Sequence, residues 1–270
     1  MRTIGTGGLL LAAALLAAGG AQASPCMVVT LTGTQGGPSS FKGLAGAGTL
    51  VSYGDESNDC RGVLLQFDAG RGTTMRLSQL GITPGQLNAV FVTHVHSDHV
   101  DGLADLLQLR WMQEFKRPKI DVVCSADVAA VTGHVMSCAK LVAHTADAYL
   151  QSGEIAQRHA EDKARPVAGP AELAAVRAFA PSDEPRVVWS SGEVRVLAVR
   201  STHVAGHASY RVDTPAGSVV IGGDAGNDVP APPRSSSTSD QVEALARGAQ
   251  VIVHSVIHPV MGPGGGTGFP

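Results

Sequence analysis

The run His94-Val95-His96-Ser97-Asp98-His99 constrains this chain more than any other stretch: three imidazoles and a carboxylate lie within six residues. The apolar run Ala89-Val90-Phe91-Val92-Thr93 before it reads as a buried strand, and Leu103 to Met112 after it reads as a helix. A polar cluster between a buried strand and a helix is a common way to build a metal site at the end of a sheet. His94 and His96 alternate on an extended segment and so share one direction. Asp98 and His99 follow a turn of the chain, so two ligand subsets can point to two metals. Neutral imidazole and carboxylate suit zinc, with manganese or iron as alternatives. A single histidine usually has a bland structural explanation; three with an aspartate at this spacing rarely do.

The chain has 270 residues, a formal net charge of -3, 16% charged residues and 33 glycines. That suits one soluble domain with a sizeable core and many tight turns. It leaves no general nucleic-acid footprint. The N-terminus has the pattern of a targeting segment. Arg2 is a thin positive region, Leu9 to Ala18 an apolar run, and Ala21-Gln22-Ala23 a small-residue cleavage site. Residues 1–23 are therefore expected to be a signal peptide cleaved after Ala23, leaving a domain of residues 24–270. The apolar run is too short to span a bilayer comfortably, so no stable membrane anchor is expected. The mature protein is expected to be periplasmic or secreted. Cys26, Cys60, Cys124 and Cys138 form an even set, which in an oxidising compartment suggests two disulfides. Cys26–Cys60 with Cys124–Cys138 is preferred because each joins neighbours in sequence, although four cysteines allow three connectivities.

Strands are expected at Met27 to Leu31, Gly48 to Ser52 and Gly62 to Phe67, and a helix at Thr74 to Leu80 that Gly81 stops. Thr83-Pro84 looks like the start of a short helix. Beyond the helix after the histidine motif, Ile120 to Cys124 reads as a strand, and Ser125 as the cap of a helix reaching about Leu141. Residues 142–185 contain Ala-Gly-Pro and Ser-Asp-Glu-Pro breakers and read as an insertion or a mobile cap. Strands resume at Arg186 to Ser190, Val194 to Arg200, Ser209 to Asp213 and Ser218 to Gly222, the last two joined by a hairpin at Pro215-Ala216-Gly217. A helix at Asp240 to Arg247 and a strand at Gln250 to His254 follow. The order indicates a layered α/β fold with hairpins, not strict β-α alternation. Gly33-Thr34-Gln35-Gly36-Gly37 lacks the spacing of a dinucleotide loop.

Two further candidate ligands sit at strand ends, as the first cluster does. His203 follows Val194 to Arg200, and Asp224 follows the strand ending near Gly222. A carboxylate at Asp224 could bridge two cations. His207 reads as a solvated or substrate-side residue, and His258 as a loop residue.

These pieces resemble the metallo-β-lactamase fold superfamily. The residues concerned are the His94-to-His99 motif, His203, Asp224 and the turn Phe67-Asp68-Ala69-Gly70. The chain looks most similar to the tRNase Z, arylsulfatase and phosphodiesterase branch, through Gly33-Thr34, Ser209-Tyr210-Arg211-Val212 and His254. The resemblance implies a four-layer αββα sandwich with two zinc ions at one edge. His94, His96 and His203 would hold the first ion, Asp98 and His99 the second, and Asp224 would bridge. It implies hydrolysis by a metal-bridging hydroxide, with Asp98 and His254 as catalytic candidates and Asp68 orienting a ligand histidine. His254 would act as general acid or phosphate contact.

The chain departs from the family in two respects. The family's last ligand histidine lies beyond the His254 position, and the tail ending at Pro270 carries no such element, so the last C-terminal elements are expected to be missing. Ser255 also stands where the family usually has an acidic residue. The leading expectation is an exported hydrolase of small-molecule phosphodiesters or related esters. A lactonase or arylsulfatase, a tRNA 3′-processing endoribonuclease-like enzyme and a non-catalytic metal-binding remnant are the alternatives. Nucleic acid is disfavoured as a partner, and a homodimer is left open.

Overall fold

A computed structural model describes residues 23–226 and 238–256, apart from Ser39 and Phe41. The expected signal peptide, His258 and the tail therefore lie outside the described residues, except for Ala23. No helix among the described residues is long and apolar enough to cross a membrane.

The elements run β1 (Pro25–Gly33), β2 (Gly48–Asp55), β3 (Val63–Phe67), α1 (Thr73–Gln79), β4 (Ala89–Phe91), α2 (Ser97–Val100) and α3 (Leu103–Gln113). Then come β5 (Ile120–Ser125), the two-residue strands β6 (Val128–Ala129) and β7 (Val135–Met136), α4 (Cys138–His144), α5 (Asp147–Ser152), α6 (Glu154–Glu161) and β8 (Ala174–Phe179). The final part is β9 (Arg186–Ser191), β10 (Val194–Arg200), β11 (Ala208–Thr214), β12 (Gly217–Ile221), α7 (Asp240–Ala246) and β13 (Val251–Val253). One sheet has the order β1-β2-β3-β4-β5-β8 and the other β13-β12-β11-β10-β9. The first begins as an antiparallel meander and continues parallel from β3 onward. Its central strands are apolar on both faces because both faces are covered.

The two sheets pack face to face over Leu65, Phe67, Phe91, Trp189, Val196, Tyr210 and Ile221. Phe67 and Phe91 stack at 4.6 Å between ring centroids, with Tyr210 edge-on to Phe91. Trimming an aromatic buried this way to alanine costs about 3–5 kcal/mol. The Tyr210 hydroxyl donates to the Val92 carbonyl at 2.7 Å, which ties the second sheet to the first just before the histidine motif. On the outer face of the first sheet lies a second core that includes Leu77 of α1, Leu103, Leu106 and Leu107 of α3, and Val142 of α4. On the outer face of the second sheet, Val242 and Leu245 of α7 cover Val199 and Val220. The αββα layering expected from the sequence is thus present.

Both preferred disulfides are formed, Cys26–Cys60 and Cys124–Cys138. They pin β1 to the turn before β3, and the end of β5 to the start of α4. Closing loops of 34 and 14 residues stabilises the fold by on the order of 3 kcal/mol each, mainly by restricting the unfolded chain.

Two expectations need correction. Ser125 does not cap a helix. It ends β5, and the chain then makes the small β6–β7 hairpin before α4 starts at Cys138. The β-branched Val128, Val131, Thr132 and Val135 and the left-handed Gly133 disfavour a helix there, and Ser137 supplies the cap by accepting from the Lys140 amide. Residues 142–185 are not simply an insertion. Their helices α5 and α6 lead to β8, which pairs in parallel with β5 along its whole length. Ile155 and Leu173 are buried with Trp111 of α3, so this segment is the crossover between two neighbouring strands.

Candidate metal centre

All the expected ligand residues emerge at one end of the two sheets. β4 delivers Thr93 and His94, and α2 carries Asp98 and His99. The loop after β10 carries His203, and the turn after β12 carries Asp224. The loops interlock through backbone. The Ala69 amide donates to the His99 carbonyl at 2.8 Å, and the Ala47 amide to the Asp98 carbonyl at 3.1 Å. A side chain at Gly70 would collide with that Asp98 carbonyl, so the close approach requires glycine. The Ala208 amide donates to the Thr93 carbonyl at 2.9 Å, joining the second sheet to the first at the floor of the site.

Asp68 sits in the left-handed region at φ 53° at the end of β3. Gln66 holds it there, donating from Nε2 to the Asp68 carbonyl at 2.7 Å and to Thr32 Oγ1 at 2.8 Å. The Asp68 carboxylate accepts from the Thr93 amide at 2.8 Å, from Thr93 Oγ1 at 2.9 Å, and from His99 Nδ1 at 2.7 Å. His99 Nδ1 therefore carries the hydrogen, and Nε2 faces the site. Because the Thr93 hydroxyl donates to Asp68, its oxygen is left to accept from His94 Nδ1 at 3.1 Å. That leaves the buried His94 Nε2 without a hydrogen-bond partner among the described residues.

Two ligand triads result, His94–His96–His203 and His94–His99–Asp224, each with its donor atoms within 4.8 Å of one another. Asp224 spans them. Oδ1 is 3.3 Å from His99 Nε2, and Oδ2 is 3.8 Å from His203 Nε2. Asp98 is buried with Oδ2 3.6 Å from His99 Nε2, on the side of the second triad but outside the 4.8 Å groups. An unpaired buried imidazole nitrogen and an unpaired Asp224 Oδ1 are costly unless something binds them. A divalent cation fits both, and the donor set of imidazoles and carboxylates suits zinc, manganese or iron.

In the metal-free site the electrostatics differ from one ligand to the next. Burial, reinforced by His99 and His207, holds the His94 imidazole far below its ordinary range and hence neutral. Burial also lowers His203 and His254. Burial would lower His99 as well, but the Asp68 and Asp224 carboxylates outweigh it and raise its pKa to about 10. Burial would raise Asp224, but the charge of His99 beside it, 3.3 Å away, holds its carboxyl well below the usual range.

His254 lies in a cleft of about 230 Å³ beside the second triad, together with Thr34, Gln35, Phe67, Asp68 and His99. Its Nδ1 has no hydrogen-bond partner among the described residues. His207 corrects an expectation. It is not solvated but 1% exposed, packed against His94 with ring centroids 4.9 Å apart. The roles of Thr93, Gln66, Ser201 and Ser209 were not foreseen from the sequence. Gln66 left a signal, a polar residue in the apolar run Val63-Leu64-Leu65-Gln66-Phe67.

The comparisons agree with this geometry. The chain is 32% identical over 232 residues to a ribonuclease Z of Mycobacterium avium, covering 85% of this chain and 70% of that protein. Its fold is similar to human tRNase Z, short form, at a TM-score of 0.50 and 16% identity, covering 84% of this chain and 91% of that one. It is likewise similar to the metallo-beta-lactamase fold protein YhfI of Bacillus subtilis, at a TM-score of 0.51 and 18% identity, covering 86% of each chain. The pattern of one family matches residues 64–259, across the histidine motif, His203 and Asp224, and on that match the chain belongs to the metallo-beta-lactamase superfamily.

Proposed function

We propose that the chain is a two-metal hydrolase of phosphodiesters or related esters. The observation that carries this reading is Asp224, whose two carboxylate oxygens face different histidines, one in each triad. His94, His96 and His203 would hold one ion. His99, Asp98 and Asp224 would hold the other, with Asp224 shared. The chemistry such a pair supplies when bound is Lewis acidity, which polarises a phosphoryl or carbonyl oxygen and activates water at neutral pH.

The chain's own residues set up the rest. Asp68 fixes the His99 ring with Nε2 toward the site, and Gln66 and Thr93 fix Asp68. Asp98, buried at the same edge, is the carboxylate placed to take a proton from water. His254 is half-buried in the adjoining cleft and is the candidate to protonate the leaving group or contact a phosphate oxygen. The cleft's size suits a small substrate group, with Phe67, Ile221 and Val253 as apolar wall. We also propose that the protein is exported. The leader-like residues 1–23 and two disulfides support this.

The relative's name favours a second reading, ribonuclease action on RNA, and weighs against the expectation that nucleic acid is no partner. The decisive experiment measures kcat/KM of the zinc-loaded chain on a phosphodiester, a sulfate ester, a lactone and a precursor tRNA. Highest efficiency on the small phosphodiester supports the proposal. Preference for precursor tRNA supports the second reading, and turnover of none of the four overturns both.

A further inference from the structure

We propose that His207 is a positioning residue that sets Asp224 through a closed circuit of hydrogen bonds, and thereby sets the cation shared by His99 and Asp224. The direction of every bond follows from the two ends. The Asp224 amide can only donate, and it does so to His207 Nε2 at 3.1 Å. His207 Nδ1 must then carry the hydrogen and donate to Ser201 Oγ at 2.7 Å. Ser201 Oγ donates in turn to Ser209 Oγ at 2.8 Å, and Ser209 Oγ to the Gly222 carbonyl, also at 2.8 Å, a group that can only accept. Both ends of the turn Gly222-Gly223-Asp224 are thus tied to one buried chain, with His207, Ser201 and Ser209 all nearly inaccessible to water.

The turn has little freedom of its own. Gly223 adopts φ 58°, and a side chain there would meet His207 Nε2 at 2.9 Å and Thr93 Cβ at 3.0 Å. The backbone therefore packs directly onto the imidazole. With both ring nitrogens engaged in hydrogen bonds, His207 is no additional ligand, unlike His94, whose Nε2 is unpartnered. Its ring also packs against those of His94 and His203, at 4.9 and 5.4 Å between centroids.

This inference rests on the two-metal reading of the site. The test compares the full-length chain with H207Q and H207N, by calorimetric zinc titration of the metal-free protein and by hydrogen exchange at the Asp224 amide. Glutamine places an acceptor where Nε2 stands; asparagine fills part of the space but does not reach Asp224. H207N is expected to lose exchange protection at Asp224 and to weaken one zinc equivalent about 10–100-fold, leaving the other. H207Q is expected to restore both at a similar melting temperature. Wild-type protection and wild-type affinity in H207N would overturn the proposal, as would equal losses in both variants. If the wild-type chain binds no zinc, the two-metal reading fails, and the Asp224 amide exchange still decides whether His207 holds the turn.

Discussion

Replacing Asp68 by asparagine should weaken the site without touching a ligand. The carboxylate is 4% exposed and accepts from the Thr93 amide, the Thr93 hydroxyl and His99 Nδ1. Asparagine has one oxygen to offer. If it keeps the Thr93 amide, its NH2 group faces His99 Nδ1, which must then accept, and the one hydrogen left on the ring sits on Nε2. There it points at Asp224 and removes the lone pair a cation needs. Breaking a buried charged pair costs about 3–5 kcal/mol, which for a domain of this size lowers the metal-free melting temperature by about 6–20 °C. Loss of such an orienting partner weakens metal binding about 10–100-fold.

The pH dependence follows with a definite sign. His99 is raised in the folded state from 6.5 to about 10. Its contribution is therefore fully present below about pH 6.5 and is lost as pH rises through about 10. The metal-free wild type should lose stability over that alkaline window, and D68N, lacking one of the two carboxylates responsible, should lose much less. Denaturant melts of the metal-free proteins across pH 6–10, with zinc titrations at pH 7, measure all three effects. If D68N melts within about 1 °C of wild type and binds zinc with the same affinity, this account of Asp68 is refuted.

Three other substitutions probe separate parts of the fold and site. H203A removes a ligand of the His94–His96–His203 triad and should abolish one zinc equivalent while sparing most of the other, read by dialysis and elemental analysis. H254Q should lower kcat about 10²–10⁴-fold on a diester with a poor leaving group and far less on a p-nitrophenyl diester, which needs no proton donor. Equal losses on the two substrates would remove His254 from that role. Y210F leaves the Val92 carbonyl without its close donor and should cost about 1–2 kcal/mol in denaturant melts, with zinc affinity nearly unchanged.

The ligand positions were legible in the sequence because His94, His203 and Asp224 each stand just past an apolar strand, and strand ends converge at one edge of a sandwich. Cys26–Cys60 and Cys124–Cys138 were legible for a similar local reason, since both pairs close short loops. The crossover to β8 was not. Ala174-Ala175-Val176-Arg177-Ala178-Phe179 has little alternation and follows a Gly-Pro break, so only its pairing with β5 identifies it as a strand. The role of His207 was hidden too. A histidine three residues before a buried tyrosine carries no periodic signal, and its partners Ser201, Ser209 and Asp224 meet it only when β10, β11 and β12 align. Asp68 was suspected from resemblance, but the residues that hold it, Gln66 and Thr93, act through hydrogen bonds to its carbonyl and carboxylate that no spacing reveals.

The central claim is a site for two cations that share Asp224. Elemental analysis of the chain, reconstituted with zinc and freed of excess metal, tests it most directly. The account predicts two equivalents per chain, falling to one in H203A; one equivalent or none in the wild type would contradict it.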